Sequence, residues 1–507
     1  MTLYENRDST LSGAYWQYIS SIFTVIAGAL FYIFIIHVYS TQIVGVFALL
    51  SAIVVIFNAI FTLGLQTGVQ HFISYHLGRR EESAIRALVK KVLLIELALA
   101  SASFATVWVL SPILATLFFH TFLYVNYLKL IDVQLFLTIF SNVLLYILLG
   151  LQSFKANSIM TIISWGVGYG LIIPLYLLNR DPIRILYAWI AGYALSTFIL
   201  YYLIRKRMSK VNRNSEKGEM KSVFIYSIPI FLSSLIGTGA VYVDRFTVSF
   251  FLSLSELGIY NFSLLIVSAL GILTVPFSSV LLSKLSEFYG KGDIGSFKIY
   301  TEKAAEIVVA FYTPIALLVA ALSQSILLFL ANRNYLLGTF PITTILLVSS
   351  LTVSVNIYIV TLQAIRKTRV FIISSALALL SNFSLSVLLI PRLGIEGAAI
   401  GYASLNIVSF LIVLYFSIKY GTFSFDKVKM AKIYSSGFLM FFLMFIIQDR
   451  LGFSILKLFT YLVTGIGVYL FLIRVMGVFT ESDIDTFLVL IPKRFHRARS
   501  FFRSLFV

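Results

Sequence analysis

The sequence predicts an all-α, polytopic membrane protein of about fourteen transmembrane helices. Three observations predict it: an apolar composition, apolar runs of membrane-spanning length, and basic residues gathered in alternate connecting segments. Of 507 residues, 59% are hydrophobic and 12% charged, with a mean hydropathy of +0.96. Soluble domains carry about 45–50% apolar and about 25% charged residues, so a water-soluble fold is excluded. No polar block is long enough to house a separate soluble domain.

Apolar runs fall near residues 15–39, 43–66, 88–112, 133–151, 158–178, 185–204 and 222–248 in the first half of the chain. They continue at 257–282, 303–330, 337–363, 369–390, 395–418, 431–447 and 454–475. Each is long enough for a helix to cross the hydrocarbon layer. Placing the N-terminus inside assigns about 31 of the 39 basic residues to cytoplasmic segments and about 8 to outer ones, the bias that sets orientation in multi-span proteins. An even number of spans then puts both termini in the cytoplasm. The densest inner clusters are Arg79, Arg80, Arg86, Lys90 and Lys91, then residues 205–221, then Arg366, Lys367 and Arg369.

The net charge of +18 lies in these loops, which explains it by topology and attraction to anionic lipid rather than by a nucleic-acid partner. There is no cysteine, and the five histidines are scattered, so no disulfide or thiolate site is possible and no metal-ligand spacing appears. No phosphate-cradling glycine loop, ATP-binding motif or catalytic triad pattern is present. The expectation is therefore a non-enzyme with no catalytic residues, cofactor or metal. The N-terminal segment carries charges of both signs and no small-residue cleavage site, so the first span is expected to act as the membrane signal.

An internal repeat organises the chain. The segment from Gly45 (GVFALLSAIVVIFNAIF) to Gly78 resembles that from Gly258 (GIYNFSLLIVSALGILT) to Gly290. Leu151-Gln152 with Lys155 matches Leu362-Gln363 with Arg366, Ile162-Ile163-Ser164 matches Ile372-Ile373-Ser374, and Gly192-Tyr193-Ala194 matches Gly401-Tyr402-Ala403. All sit at an offset of roughly 210 residues, the fixed register of a duplication. A repeat of six helices enters and leaves on one side, so the copies are parallel and related by an axis along the membrane normal. The expected lobes are residues 1–213 and 214–430, joined by the polar linker 205–221, followed by accessory helices 13 and 14 within 431–475 and a basic tail, 476–507. Two such lobes about a central cavity are the geometry of alternating access, which favours transport.

With these residues laid out, the chain resembles the Wzx-type polysaccharide and lipid-linked oligosaccharide flippases of the multidrug/oligosaccharidyl-lipid/polysaccharide exporter superfamily. The likeness is carried by residues 243–293, where Asp244-Arg245 at a span end is followed by SELGIYNFS, Pro276 and LLSKLSEFYGKGD, and by PRLGIEGAAIGYA at 391–403. The resemblance implies fourteen helices in two six-helix lobes plus an accessory pair. It also implies export of a polyprenyl (di)phosphate-linked glycan from the inner to the outer leaflet of the plasma membrane. The partners implied are that glycan, membrane lipids and glycan-assembly enzymes.

An anionic, sugar-bearing head group needs a wet, electropositive cavity, because polar groups left unpaired in hydrocarbon cost several kcal/mol. Arg245 is the first cavity candidate for phosphate or sugar, since its guanidinium forks onto phosphate, with Asp244 as counter-charge. Gln17, Gln66, Gln70 and His71 place polar groups on or just beyond the first two spans, as cavity lining or helix-to-helix bonds. Lys155 and Arg366, at matching repeat positions, are candidates for a paired electrostatic funnel or for topology determinants. Glu96 and Glu306 are coupling candidates, although Lys90, Lys91 and Lys303 stand close enough in sequence to balance them. Pro229, Pro276 and Pro314 lie inside second-half spans, against Pro174 alone in the first half, which predicts more bending in the second lobe. The tail IPKRFHRARSFFRSLFV is expected to form a helix on the inner leaflet.

Two rivals stay open. One is a cation-coupled multidrug or small-solute antiporter of the same superfamily, disfavoured by the absence of an acid at residues 15–39. The other is a membrane glycan polymerase or glycosyltransferase, disfavoured by short outer loops and sparse acids.

Overall fold

The computed structural model describes residues 10–209 and 220–478. The basic tail and part of the linker expected at 205–221 lie outside the described residues. The described chain is almost wholly helical, with no strand, and thirteen of its helices are long and apolar enough to cross a membrane. It is a multi-pass membrane protein. Contacts divide it into two compact units, residues 1–258 and 259–507.

In the first unit the helices are α1 (Thr10–Val38), α2 (Thr41–Phe61), α3 (Leu65–Gly78), α4 (Glu82–Phe119), α5 (Val125–Gly150), α6 (Phe154–Gly170), α7 (Ile172–Leu178), α8 (Ile183–Ser209) and α9 (Met220–Phe251). α10 (Leu254–Ala269) follows and runs across the division. Ser40 caps α2 by accepting from the Ile43 amide, and Thr121 accepts from Leu123 at the turn before α5, each meeting an amide that the first helical turn leaves unpaired.

The expected second span continues to Gly78 but is broken at Leu63 and Gly64, both with positive φ (46° and 65°). Glycine is suited to that conformation, and here it also admits α9, because a Cβ on Gly64 would lie 2.9 Å from the Ser227 carbonyl oxygen. Gly68 one turn on has no more room, its Cβ falling 2.2 Å from Ser227 Oγ. α9, the first helix of the second repeat, thus seats against α2, α3 and α4 in the first unit. His120, in left-handed conformation at the end of α4, adds a ring hydrogen bond to the Ser249 carbonyl (2.8 Å). Beneath these helices Val69, Ile73, Val92, Leu144 and Ile147 form a buried cluster shared by α3, α4 and α5.

The repeat glycines Gly45 and Gly258 meet: a Cβ on Gly45 would lie 1.7 Å from the Leu254 carbonyl oxygen, and one on Gly258 would lie 2.8 Å from the Gly45 nitrogen. Thr41 and Ser255 share a hydroxyl–hydroxyl hydrogen bond beside them.

The second unit holds the rest of α10, then α11 (Val275–Lys291), α12 (Ile294–Ala321), α13 (Ser323–Leu330), α14 (Thr339–Thr352), α15 (Val355–Ala364), α16 (Arg369–Leu393), α17 (Ile395–Lys419), α18 (Lys427–Leu451) and α19 (Ile455–Val475). The expected eighth span is present but interrupted by a 3-10 turn at Leu270–Leu273, so neither α10 nor α11 alone spans. Both repeats therefore break their second helix. The expected tenth span also divides, between α14 and α15.

The proline reading needs correction. Pro112 lies inside α4, in the first half, and Pro391 inside α16, whereas Pro276 opens α11 at its first turn rather than kinking a helix interior. Pro229 and Pro314 are interior as expected. Pro is tolerated at a helix start because the amide it lacks has no intrahelical acceptor there.

Candidate functional site

Two helices of the first unit carry the same spacing, Trp165-x-x-x-Tyr169 on α6 and Trp189-x-x-x-Tyr193 on α8. Residues four apart share a helix face, so each helix presents an aromatic stripe. The two stripes converge because α6 and α8 approach closely at glycine: a Cβ on Gly192 would lie 2.4 Å from the Ser164 carbonyl oxygen and 2.7 Å from the Gly168 nitrogen. Small residues allow such backbone approach between membrane helices. Gly401, the repeat counterpart on α17, packs closely on α16 too, but chiefly against the side-chain oxygens of Ser386 and Asn382.

Together with α1, α2, α5 and α9 these stripes line a half-open chamber of about 350 Å3 within the first unit. Its walls include Tyr32, Trp165, Tyr169, Trp189, Tyr193 and Tyr242, with Asn58, Gln134, Thr138 and Ser164 as polar lining. Phe31 stacks on Tyr169 (4.8 Å between centroids) and tilts against Trp189 (5.3 Å), fixing the ring cluster from behind α1. No lining residue carries a charge. Three buried lining atoms have no hydrogen-bond partner: Gln134 Oε1, Ser164 Oγ and Trp189 Nε1. They are an acceptor, a hydroxyl that does both, and a donor. Buried polar atoms are nearly always paired, with protein or with ordered water, so these three orphans are exceptions that gather in residues lining one cavity.

α9 contributes Tyr242, whose ring carries the Arg245 guanidinium 4.4 Å from its centroid. Arg245 Nη1 donates to the Val241 carbonyl (2.8 Å) and lies 3.4 Å from Asp244 Oδ1, which also accepts from the Arg245 amide (2.9 Å). Asp244 is fully buried. The structure thus brings these two predicted residues together and sets the cation one ring away from the chamber. Arg245→Gln is expected to lower the melting temperature of the purified protein by more than Asp244→Asn does. Removing the guanidinium leaves the fully buried Asp244 carboxylate without its counter-ion, whereas the asparagine variant leaves a guanidinium that is 12% exposed and keeps its Val241 carbonyl and Tyr242 ring contacts.

The remaining predicted residues lie elsewhere, and none of them lines the chamber. Gln17 and Gln66 each bury an amide nitrogen without a partner, on α1 and at the start of α3. On α3, the Gln70 carbonyl faces Gly150 of α5, and His71 stacks on Tyr226 of α9 at 4.6 Å. Lys155 is exposed with its ammonium 5.2 Å from the Trp16 ring. Arg366 lies not in a helix but in the turn before α16, with φ 59°; by turn geometry its counterpart is Gln152, φ 54°, rather than Lys155. The equivalence expected for Lys155 and Arg366 fails because short apolar strings align a turn out of register.

Glu96 is buried on α4 and neither oxygen has a hydrogen-bond partner, while Lys90 and Lys91 are exposed. At 100° per residue the two lysines project away from the face that carries Glu96, so the expected charge balancing there does not form. Glu306 bonds Lys303 (3.3 Å), as its spacing suggests, and also Lys429 on α18 (2.7 Å). Among the described residues no cluster of three metal-ligating side chains occurs.

A family model for "Polysaccharide biosynthesis protein" matches residues 47–337, while no curated protein matches the sequence. Among solved structures the fold is similar to the lipid II flippase MurJ in an inward closed conformation, at 18% identity and a TM-score of 0.72, covering 90% of this chain and 97% of that one. It is also similar to an inward-facing multidrug resistance MATE transporter of the MOP superfamily, at 15% identity and a TM-score of 0.65, covering 78% and 94%. A third likeness is to a MOP superfamily transporter from Pyrococcus furiosus, at 15% identity and a TM-score of 0.54, covering 80% and 92%. The fold of this exporter superfamily agrees with the resemblance read from Asp244-Arg245 and SELGIYNFS. With more than half of its length inside the family model, the chain belongs to the polysaccharide biosynthesis protein family.

Proposed function

We propose that the protein is a transporter that moves a polyprenyl (di)phosphate-linked glycan from the inner to the outer leaflet of the plasma membrane by alternating access, with both termini cytoplasmic. The observation that carries this reading is the chamber: in a polysaccharide-family chain, it offers aromatic rings and polar side chains among membrane-spanning helices. A sugar head group exposed to hydrocarbon would lose its hydrogen bonds to water. The chamber substitutes partners of its own, and the polyprenyl tail stays in lipid throughout.

The aromatic walls also favour a second reading, a multidrug antiporter, because flat apolar rings stack on such surfaces. One experiment separates the two. The protein is reconstituted into vesicles bearing a fluorescent polyprenyl-diphosphate-linked glycan in one leaflet, and the fraction reached by an impermeant reductant is followed. Parallel vesicles are loaded with a cationic dye under an ion gradient. The expected result is protein-dependent exposure of the glycolipid without dye efflux; dye efflux without glycolipid movement overturns the flippase in favour of the antiporter.

A further inference from the structure

We propose that the first-unit chamber is a subsite for one neutral pyranose ring of the cargo, and that the phosphate and any acidic sugar are held elsewhere. The inference rests on the flippase reading and adds which part of the cargo enters. A pyranose has apolar C–H faces and an equator of hydroxyls that each donate and accept. The chamber mirrors that pattern, with indole and phenol rings on its walls and Asn58, Gln134, Thr138 and Ser164 as polar lining between them.

Size and charge narrow the guest. At about 30 Å3 per water-sized heavy atom, a hexose of a dozen heavy atoms displaces at most about 360 Å3, so a chamber of about 350 Å3 holds one ring. No lining side chain is charged, and Arg245 sits against the Tyr242 ring instead of lining the chamber. A carboxylate or phosphate brought in would be desolvated with no counter-ion, a penalty larger than that of a neutral hydroxyl. The electropositive lining expected from the sequence is thus absent from this chamber, and the guest it selects is uncharged.

The test uses the purified full chain in lipid nanodiscs and the fluorescence of its four tryptophans, two of which line the chamber. Methyl glycosides of glucose, galactose, mannose and N-acetylglucosamine are titrated, with glucuronate and inorganic diphosphate as charged probes. Saturable quenching by at least one neutral glycoside is expected. Binding should weaken by about tenfold in Gln134→Leu and in Ser164→Ala, the loss expected for one buried hydrogen bond, with unchanged melting temperature. Tyr169→Ala, which removes a wall without leaving a polar gap, should weaken the same glycoside. Glucuronate and diphosphate should leave the fluorescence unchanged. No quenching by any neutral glycoside, equal quenching by glucuronate or diphosphate, or quenching that survives all three variants overturns the subsite.

The same variants in the vesicle assay distinguish this failure from that of the flippase. Glycolipid movement that proceeds unchanged in Gln134→Leu and Ser164→Ala removes the subsite and leaves the flippase standing. Variant-sensitive glycoside binding with no glycolipid movement removes the flippase and leaves a sugar site.

Discussion

Gly192→Val is expected to destabilise the protein by about 3 kcal/mol or more, the upper range for overpacking a tight contact, and to abolish transport. The new Cβ would fall 2.4 Å from the Ser164 carbonyl oxygen and 2.9 Å from Gly168 Cα. Both obstacles are backbone, so no rotamer change relieves them, and α6 must move off α8. Ser164 and Gly168 line the chamber, so the displacement reshapes its walls as well as weakening the helix pair. Gly170→Ala, at the end of the facing helix α6, is the control. Nothing lies within 4 Å of its added Cβ, and the change should stay within about 0.5 kcal/mol. Thermal unfolding of both variants in one detergent, read beside glycolipid movement, checks the contrast; equal melting temperatures would refute the close-approach argument.

Glu306→Gln is expected to loosen the second unit by about 3–5 kcal/mol, the cost of breaking a buried ion pair. Glu306 on α12 accepts from Lys429 on α18 at 2.7 Å and from Lys303 at 3.3 Å, with its carboxylate 3% exposed and Lys429 9% exposed. Removing the carboxylate strands Lys429 in a buried site beside a second ammonium. Lys429→Met should cost less, about 1–3 kcal/mol, because Lys303 still faces the carboxylate and the methionine fills the space. The double variant should be no worse than Glu306→Gln alone. Protease cleavage between α17 and α18, followed with time, reports release of the α18–α19 hairpin. Additive losses in the double variant would mean that the two residues act independently.

These cases show what the sequence carries and where it stops. Span positions were legible because hydrocarbon demands long apolar helices, and the repeat was legible because glycines recur where helices pack closely, as at Gly192 and Gly401. The breaks at Leu63–Gly64 and Leu270–Leu273 were not, since an apolar run reads as continuous whether or not its backbone turns. Lys429 was invisible as a partner of Glu306 because 123 residues separate them and only the fold joins them. The chamber was missed for another reason. A phosphate-bearing cargo makes charged residues the informative ones, whereas the chamber's signal is the Trp-x-x-x-Tyr spacing, which occurs on α6 and α8 and speaks for a neutral sugar rather than a phosphate. Closeness in sequence likewise misleads at Glu96, because Lys90 and Lys91, six and five residues away, project from a different face of the same helix.

One long element has a mechanical corollary. α4 runs for 38 residues, about 57 Å at 1.5 Å per residue, nearly twice the roughly 30 Å thickness of bilayer hydrocarbon. Its first turns, with Glu82, Arg86, Lys90 and Lys91, are therefore a stiff mast rising from the lipid. A lean of about 10° about its midpoint carries either tip by roughly 5 Å, by simple leverage on that length. A probe fixed at the mast's tip would register small motions buried deep in the first unit.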